Sequence, residues 1–196
     1  EGVYRLPPAH SLVVKDGSVR KARYWDVDSD HAIRYRTDAE YAEHFLALFR
    51  EAVRCRLRSH GPVGSCLSGG LDSSSIVCVA QALYDEQPGL GNALETFSVV
   101  FDRLPCDERP YIEEVIRSRR IKANLFPCER YTELIGIDQA TRYPDVLYAP
   151  TLFMLAPALQ SMQQRGIKVL LDGVGGDELL ACGFAHLTDM LWQGHF

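Results

Sequence analysis

The stretch Ser68-Gly69-Gly70-Leu71-Asp72-Ser73-Ser74, set between an apolar run and a helix-like pattern, decides how this chain is read. Residues 63–67 predict a short buried strand, and Ile76, Val77, Val79, Ala80 and Leu83 recur at the spacing of an amphipathic helix. The two glycines let the backbone turn sharply, and the small hydroxyl residues leave the start of the helix uncrowded. Unpaired N–H groups there, reinforced by the helix dipole, favour an anion. Glycines by themselves carry little weight, because many strand-to-helix turns use them for steric reasons. Asp72 adds information: a carboxylate beside a bound phosphate repels it unless a cation lies between them. A phosphate cradle with Asp72 in it therefore brings magnesium with it.

A second stretch, Asp172-Gly173-Val174-Gly175-Gly176-Asp177-Glu178, follows another apolar run at 167–171. In a parallel α/β sheet, loops leaving the carboxyl ends of strands gather on one edge, so residues far apart in sequence face one ligand. Asp72 and Asp177 are then placed to share one Mg²⁺, which takes few protein oxygens and fills its remaining positions with phosphate and water. Glu178 reads either as a supporting group behind the metal ligands or as a charge at a helix N-terminus.

The first run matches the SGGxDS signature of the PP-loop ATP pyrophosphatases and lacks the lysine of the GxxxxGK phosphate loop. With the second motif in this order, the chain resembles the synthetase domain of the asparagine synthetase family. That resemblance implies an α/β fold, a doubly wound parallel sheet of the PP-loop ATP pyrophosphatase type, with ATP and Mg²⁺ as cofactors. It implies that a carboxylate is adenylated with release of pyrophosphate and then attacked by ammonia, drawn from glutamine, or by an amine. The residues it assigns to ATP are Leu67, Ser68, Gly69, Gly70, Asp72, Ser73, Ser74, Val99, Asp172 and Gly173. Asp72 and Asp177 are the implied metal ligands and the catalytic pair. Val99 falls where an apolar residue lines the adenine pocket, and sheet core is the alternative for it. No covalent nucleophile is required, and no G-x-S-x-G elbow surrounds Ser73.

One departure limits the resemblance. The family pattern SGEGxDE has glutamate where Val174 stands and serine where Asp172 stands. Valine neither accepts a proton nor pairs with an amine. A relative that closes lasso-peptide or β-lactam rings, sharing the ATP site and differing in the acceptor pocket, is therefore an alternative to an asparagine synthase. A non-catalytic ATP-binding module is a second alternative, against which the retention of both Asp72 and Asp177 argues.

Residues 1–36 differ in texture. Leu12, Val14, Val19 and Tyr24 lie in two strand-like runs around Asp16-Gly17, which predicts a hairpin too short to fold alone. Leu6-Pro7-Pro8-Ala9-His10 and Arg23-Tyr24-Trp25 resemble the end of the family's glutaminase domain and its link to the synthetase domain. The implied division is 1–36 as the end of a glutaminase-like domain with linker, and 37–196 as a synthetase domain incomplete at its C-terminus. A glutaminase domain is then expected earlier in the parent chain. Thr37-Asp38-Ala39-Glu40 has the form of a capping box and opens a helix to about residue 59. Its late arginines Arg50, Arg54, Arg56 and Arg58 suit the helix dipole, with phosphate contact as the alternative. A strand is expected over 95–101 and another over 121–126. Between them a helix opens at Asp107-Glu108-Arg109-Pro110, where Asp107 and Glu108 read as helix-start charges and not as catalytic groups. Asp145 and Tyr148 are the polar candidates for an acceptor site. A helix over 151–165 carries Leu152, Leu155, Leu159 and Met162 on one side, with Pro157 as a kink or late start and Gly166 as C-cap.

Composition narrows the partners. The chain has 196 residues, 46% of them hydrophobic, enough for a substantial core. Its 21 basic residues stand against 26 acidic ones with no basic block, which argues against nucleic acid. No membrane-spanning run or secretory signal is present, so a cytoplasmic protein is expected. The partners expected are a small-molecule or peptide carboxylate substrate, with a homodimer compatible with this reading. Cys55, Cys66, Cys78, Cys106, Cys128 and Cys182 form no CxxC pair and read as free thiols, Cys66 as a packing residue.

Overall fold

The computed structural model describes residues 2–28, 31–87, 94–131, 150–177, 188 and 190–192. Asp145, Tyr148, Glu178 and Cys182 lie outside the described residues. The chain divides into two compact units, Glu1–Glu43 and His44–Phe196.

In the first unit, β1 (His10–Lys15) and β2 (Ser18–Arg23) pair antiparallel with Lys15 opposite Ser18. The two-residue turn takes positive φ at both positions, 49° at Asp16 and 75° at Gly17. A hairpin that follows the right-handed twist of its strands demands that backbone, and Asp-Gly supplies it at low strain. Leu12, Val14 and Val19 stay exposed. The capping box forms as expected: the Glu40 N–H donates to Thr37 Oγ1 (3.3 Å), and the Thr37 N–H donates to Glu40 Oε2 (3.0 Å). Helix α1 (Asp38–Arg56) starts there.

The second unit carries β3 (Val63–Cys66), α2 (Leu71–Glu86), β4 (Leu94–Val100), α3 (Arg109–Arg119), β5 (Lys122–Pro127), α4 (Pro150–Gln164) and β6 (Val169–Leu171). The strand order is β5-β4-β3-β6, every pair parallel. From β3 the chain steps outward to β4 and β5, then returns to pair β6 with the other side of β3. The result is the doubly wound sheet expected from the alternating pattern.

Both faces are covered. Val77, Ala80 and Leu83 of α2 and Ile112 of α3 bury one face together with Val53, Leu57, Val63, Leu94 and Val100. Phe97, Ala158, Met162 and Ile167 fill the other, where Phe97 stacks on Phe126 with centroids 6.3 Å apart. A side chain on Gly64 would come within 2.8 Å of Met162 Cε, so the absence of one lets α4 lie close on β3. The buried stripe of α4 passes through Ala158 and Met162, whereas Leu159, expected on it, is 42% exposed. Pro157 lies inside the helix, which begins at Pro150.

At the opposite edge of the sheet from the cradle, Glu95 is buried at 6% exposure and accepts from Arg165 (2.6 Å), Lys122 (2.8 Å) and Asn124 (3.2 Å). Burial alone pushes its carboxyl up, but the hydrogen bonds from Lys122, Asn124 and Arg165 outweigh burial and hold it below the ordinary 4.5. A carboxyl depressed on folding stabilises the fold above its unfolded value, and that contribution disappears as pH falls through the lower folded value. Lys122 is largely exposed, which reduces the pair's worth. Glu95→Gln is expected to cost about 1–3 kcal/mol at pH 7 in urea denaturation, with the difference from wild type shrinking as the pH drops below 4.5. Equal stability of the two proteins at pH 7 would refute the role given to this cluster.

Candidate functional site

The order of strand addition reverses between β3 and β6, and the loops after these two strands carry the two glycine-rich stretches. Crevices at such reversal points, beyond the carboxyl ends of the strands, are where doubly wound folds bind ligands. Leu67 ends β3: its N–H donates to Phe97 O (3.1 Å) and its side chain is buried at 2% exposure. Leu67, assigned to ATP by the resemblance, thus packs into the core through its side chain.

The turn after it is held by its own hydroxyls. Ser73 Oγ accepts from the Ser68 N–H (3.0 Å) and lies 2.8 Å from Ser68 Oγ, which in turn accepts from the Gly70 N–H (3.3 Å). Ser74 Oγ donates to Ser68 O (3.4 Å). Gly70 is the N-cap of α2, in extended conformation, and makes no side-chain cap. The first helical hydrogen bond comes from the Ser74 N–H to Gly70 O, so the N–H groups of Leu71, Asp72 and Ser73 stand outside the helical ladder. The cradle is preorganised from within the loop.

The second loop is pressed against this helix start. A side-chain carbon on Gly173 would lie 2.9 Å from Ser73 N, and one on Gly176 would overlap the Asp72 carboxylate. Asp177 follows Gly176 directly, so its backbone begins one residue from the contact with Asp72. The loop is stiffened by an N–H bond from Gly176 to Gly173 O (3.2 Å) and one from Val174 to Asp172 Oδ1 (3.2 Å). Asp72, Asp172 and Asp177 thus come to one edge, offering hard oxygens. Among the described residues no group of three or more His, Cys, Asp or Glu side chains forms a metal cage. Two carboxylates, with phosphate completing the shell, fit magnesium's ordinary donor set.

Other residues read from the sequence fall elsewhere. Val99 is half-buried on β4, opposite Phe126 in the register, on the face that carries Phe97. Three of the late arginines of α1 have other partners: Arg50 pairs with Glu86 at the end of α2 (2.6 Å), Arg54 with Glu51 (2.6 Å), and Arg56 donates to Ala52 O (2.9 Å). Burial, assisted by the nearby Asp172, pushes the Cys66 thiol up to about 11, so it stays protonated at neutral pH, as a packing residue does. Asp107 accepts from the Phe101 N–H (3.0 Å). Glu108 is the surprise. Its Oε2 accepts from the Gly69 N–H at 3.0 Å, placing a carboxylate on the cradle itself. A contact across 39 residues leaves no local signal, and an acid before a helix looks the same whichever way it turns.

Gly176 and Gly173 offer probes with different outcomes. The Asp72 carboxylate ends a flexible side chain and can swing aside, so Gly176→Ala should leave the melting temperature within about 2 °C of wild type while weakening MgATP binding roughly tenfold or more. Gly173→Ala meets the rigid backbone of Ser73 and should lower both. Thermal melts combined with titration calorimetry read the two quantities separately.

Comparison with known proteins agrees with this architecture. The asparagine synthase family model matches residues 44–195, more than half the chain. The chain is 31% identical over 192 residues to a putative asparagine synthetase 2 of Methanocaldococcus jannaschii, covering 96% of this chain and 35% of that protein. It is 28% identical over 190 residues to amidase chry2 of Gibberella zeae, covering 91% and 28%. The chain thus spans about a third of the length of the curated relatives it matches. Among solved structures, a U34-tRNA thiolase of Methanococcus maripaludis superposes with a TM-score of 0.52 at 17% identity, over 75% of this chain and 51% of that one. That likeness bears on the fold alone, which is of the PP-loop ATP pyrophosphatase type. The two loops joined at the reversal of a doubly wound sheet, and the match across residues 44–195, place this chain in the asparagine synthase family.

Proposed function

We propose that this chain is the ATP site of an amide-forming ligase of asparagine-synthetase type, in which a carboxylate is adenylated with loss of pyrophosphate and then captured by ammonia or an amine. The observation that supports this reading is the seating of Gly173 and Gly176 on Ser73 N and the Asp72 carboxylate, which brings two loops 100 residues apart into contact. Family membership and the relatives' names support it.

In this reading the chain's own work is positional and electrostatic. Backbone N–H groups at the start of α2 hold phosphate oxygens, and their directions are set beforehand by the Ser68–Ser73 hydroxyl pair, so little reorganisation accompanies the reaction. Asp72 and Asp177 would hold Mg²⁺, which supplies charge neutralisation on the departing pyrophosphate. Val99 and the end of β3 offer an apolar wall for adenine. Residues 1–36 belong, in the same reading, to the end of a glutaminase-like domain that delivers ammonia.

A second reading concerns the acceptor. Val174 is 85% exposed at the tip of the second loop, where it presents an apolar surface and no proton acceptor. That favours an acceptor other than aspartate, including the intramolecular amine of a ring-closing relative. Pyrophosphate release from MgATP, followed in the full-length protein with a panel of carboxylates that includes aspartate, separates the readings. Release is expected with at least one carboxylate, and Asp72→Asn or Asp177→Asn should each slow it by about a hundredfold or more, as loss of a charge-stabilising group does. Tight ATP binding with no release for any substrate would identify a non-catalytic nucleotide module instead.

A further inference from the structure

We infer that Glu108 is a charge filter on the cradle: it competes with bare phosphate for the Gly69 N–H and makes the site select polyphosphate that arrives with a divalent cation. The inference rests on the nucleotide reading above and adds a specificity-determining residue to it.

Three observations converge on Glu108. Its carboxylate occupies a donor of the cradle, Gly69 N to Oε2 at 3.0 Å. The contact is built in by packing, because a side-chain carbon on Gly69 would lie 2.9 Å from Glu108 Cβ and 3.1 Å from Tyr111 Cβ; only glycine lets the start of α3 sit this close. Glu108 is also the N-cap of α3, yet its side chain makes no capping bond to its own helix. Asp, Asn, Ser and Thr are the side chains short enough to cap the helix they precede; the longer glutamate is free to reach elsewhere. This one turns to the phosphate loop instead.

The charge there is not neutralised by its neighbour. Arg109, the adjacent cation, is engaged by Asp102 (2.6 Å) and Asp107 (3.8 Å). A phosphate oxygen approaching the Gly69 N–H must displace a carboxylate or lie against it. Either event is opposed by like charge, and the opposition is relieved when a divalent cation accompanies the phosphate. A cradle with four carboxylates on its loops, Asp72, Asp172, Asp177 and Glu108, thereby rejects metal-free nucleotide while admitting the magnesium complex.

The test is calorimetric titration of wild type and Glu108→Gln with inorganic pyrophosphate and with ATP, each in EDTA and in excess Mg²⁺. Glutamine keeps the size and the acceptor for Gly69 N–H, and circular dichroism with a thermal melt checks that the fold is retained. The variant should bind metal-free pyrophosphate and ATP roughly five- to tenfold tighter than wild type, the effect of removing one like charge at about 4 Å in a water-exposed site. Affinity for the magnesium complexes should stay within about twofold. An unchanged or enlarged preference for the magnesium form, or weaker binding of both forms, overturns the filter and assigns Glu108 to positioning or to the metal. The underlying reading fails in a different way: neither protein then binds ATP or pyrophosphate in either buffer.

Discussion

Parallel pairing of β3 with β4 on one side and with β6 on the other is the constraint on which the rest of the structure depends. It makes β3 the point where the sheet reverses, and it brings the loop after residue 66 beside the loop after residue 171. Nothing in either loop alone would bring the two together. The constraint is enforced by packing on both faces: Val63 and Leu171 with α2 on one, Phe97, Met162 and Ile167 on the other. Gly64 admits α4 closely enough to seal the second face, so a glycine in the strand supports the glycine-rich loop beyond it.

At the site, the glycines act less by unusual backbone angles than by what their missing side chains admit. Gly69 admits the start of α3, Gly173 admits the first turn of α2, and Gly176 admits the Asp72 carboxylate. Each is a meeting of two elements distant in sequence. Together they bring the loops that carry Glu108, Asp172 and Asp177 to the start of the helix that carries Asp72. Hydroxyl bonds between Ser68 and Ser73 fix the loop without consuming the free N–H groups at the head of α2.

Much of this was legible in the residues. Strand, turn and helix around 63–83 follow from apolar spacing and the two glycines, and the Asp-Gly hairpin and the Thr37–Glu40 capping box are local patterns with local causes. Alternating strands and helices implied a doubly wound sheet, and the two loops implied their own meeting. What could not be read depends on tertiary distance. The buried stripe of α4 was expected to include Leu159, but Ala158 and Met162 are what fit beneath Gly64 and Phe97. Glu95 in the sheet gains its meaning from Lys122, Asn124 and Arg165, up to 70 residues away. Glu108 reads as an ordinary helix-start charge in the sequence because its partner is an N–H in another loop, and main-chain donors leave no mark there.

In the proposed reading the two loops form one metal–nucleotide site and not two adjacent ones. A double-mutant cycle on Asp72→Asn and Asp177→Asn, with MgATP affinity measured by titration calorimetry in the full-length protein, tests it directly. Strong non-additivity is expected: once one aspartate is neutralised, the second substitution should cost at least about 1 kcal/mol less than it does in wild type. Costs that add to within about 0.3–0.5 kcal/mol would contradict it, since independent behaviour means the two carboxylates do not serve the same ion.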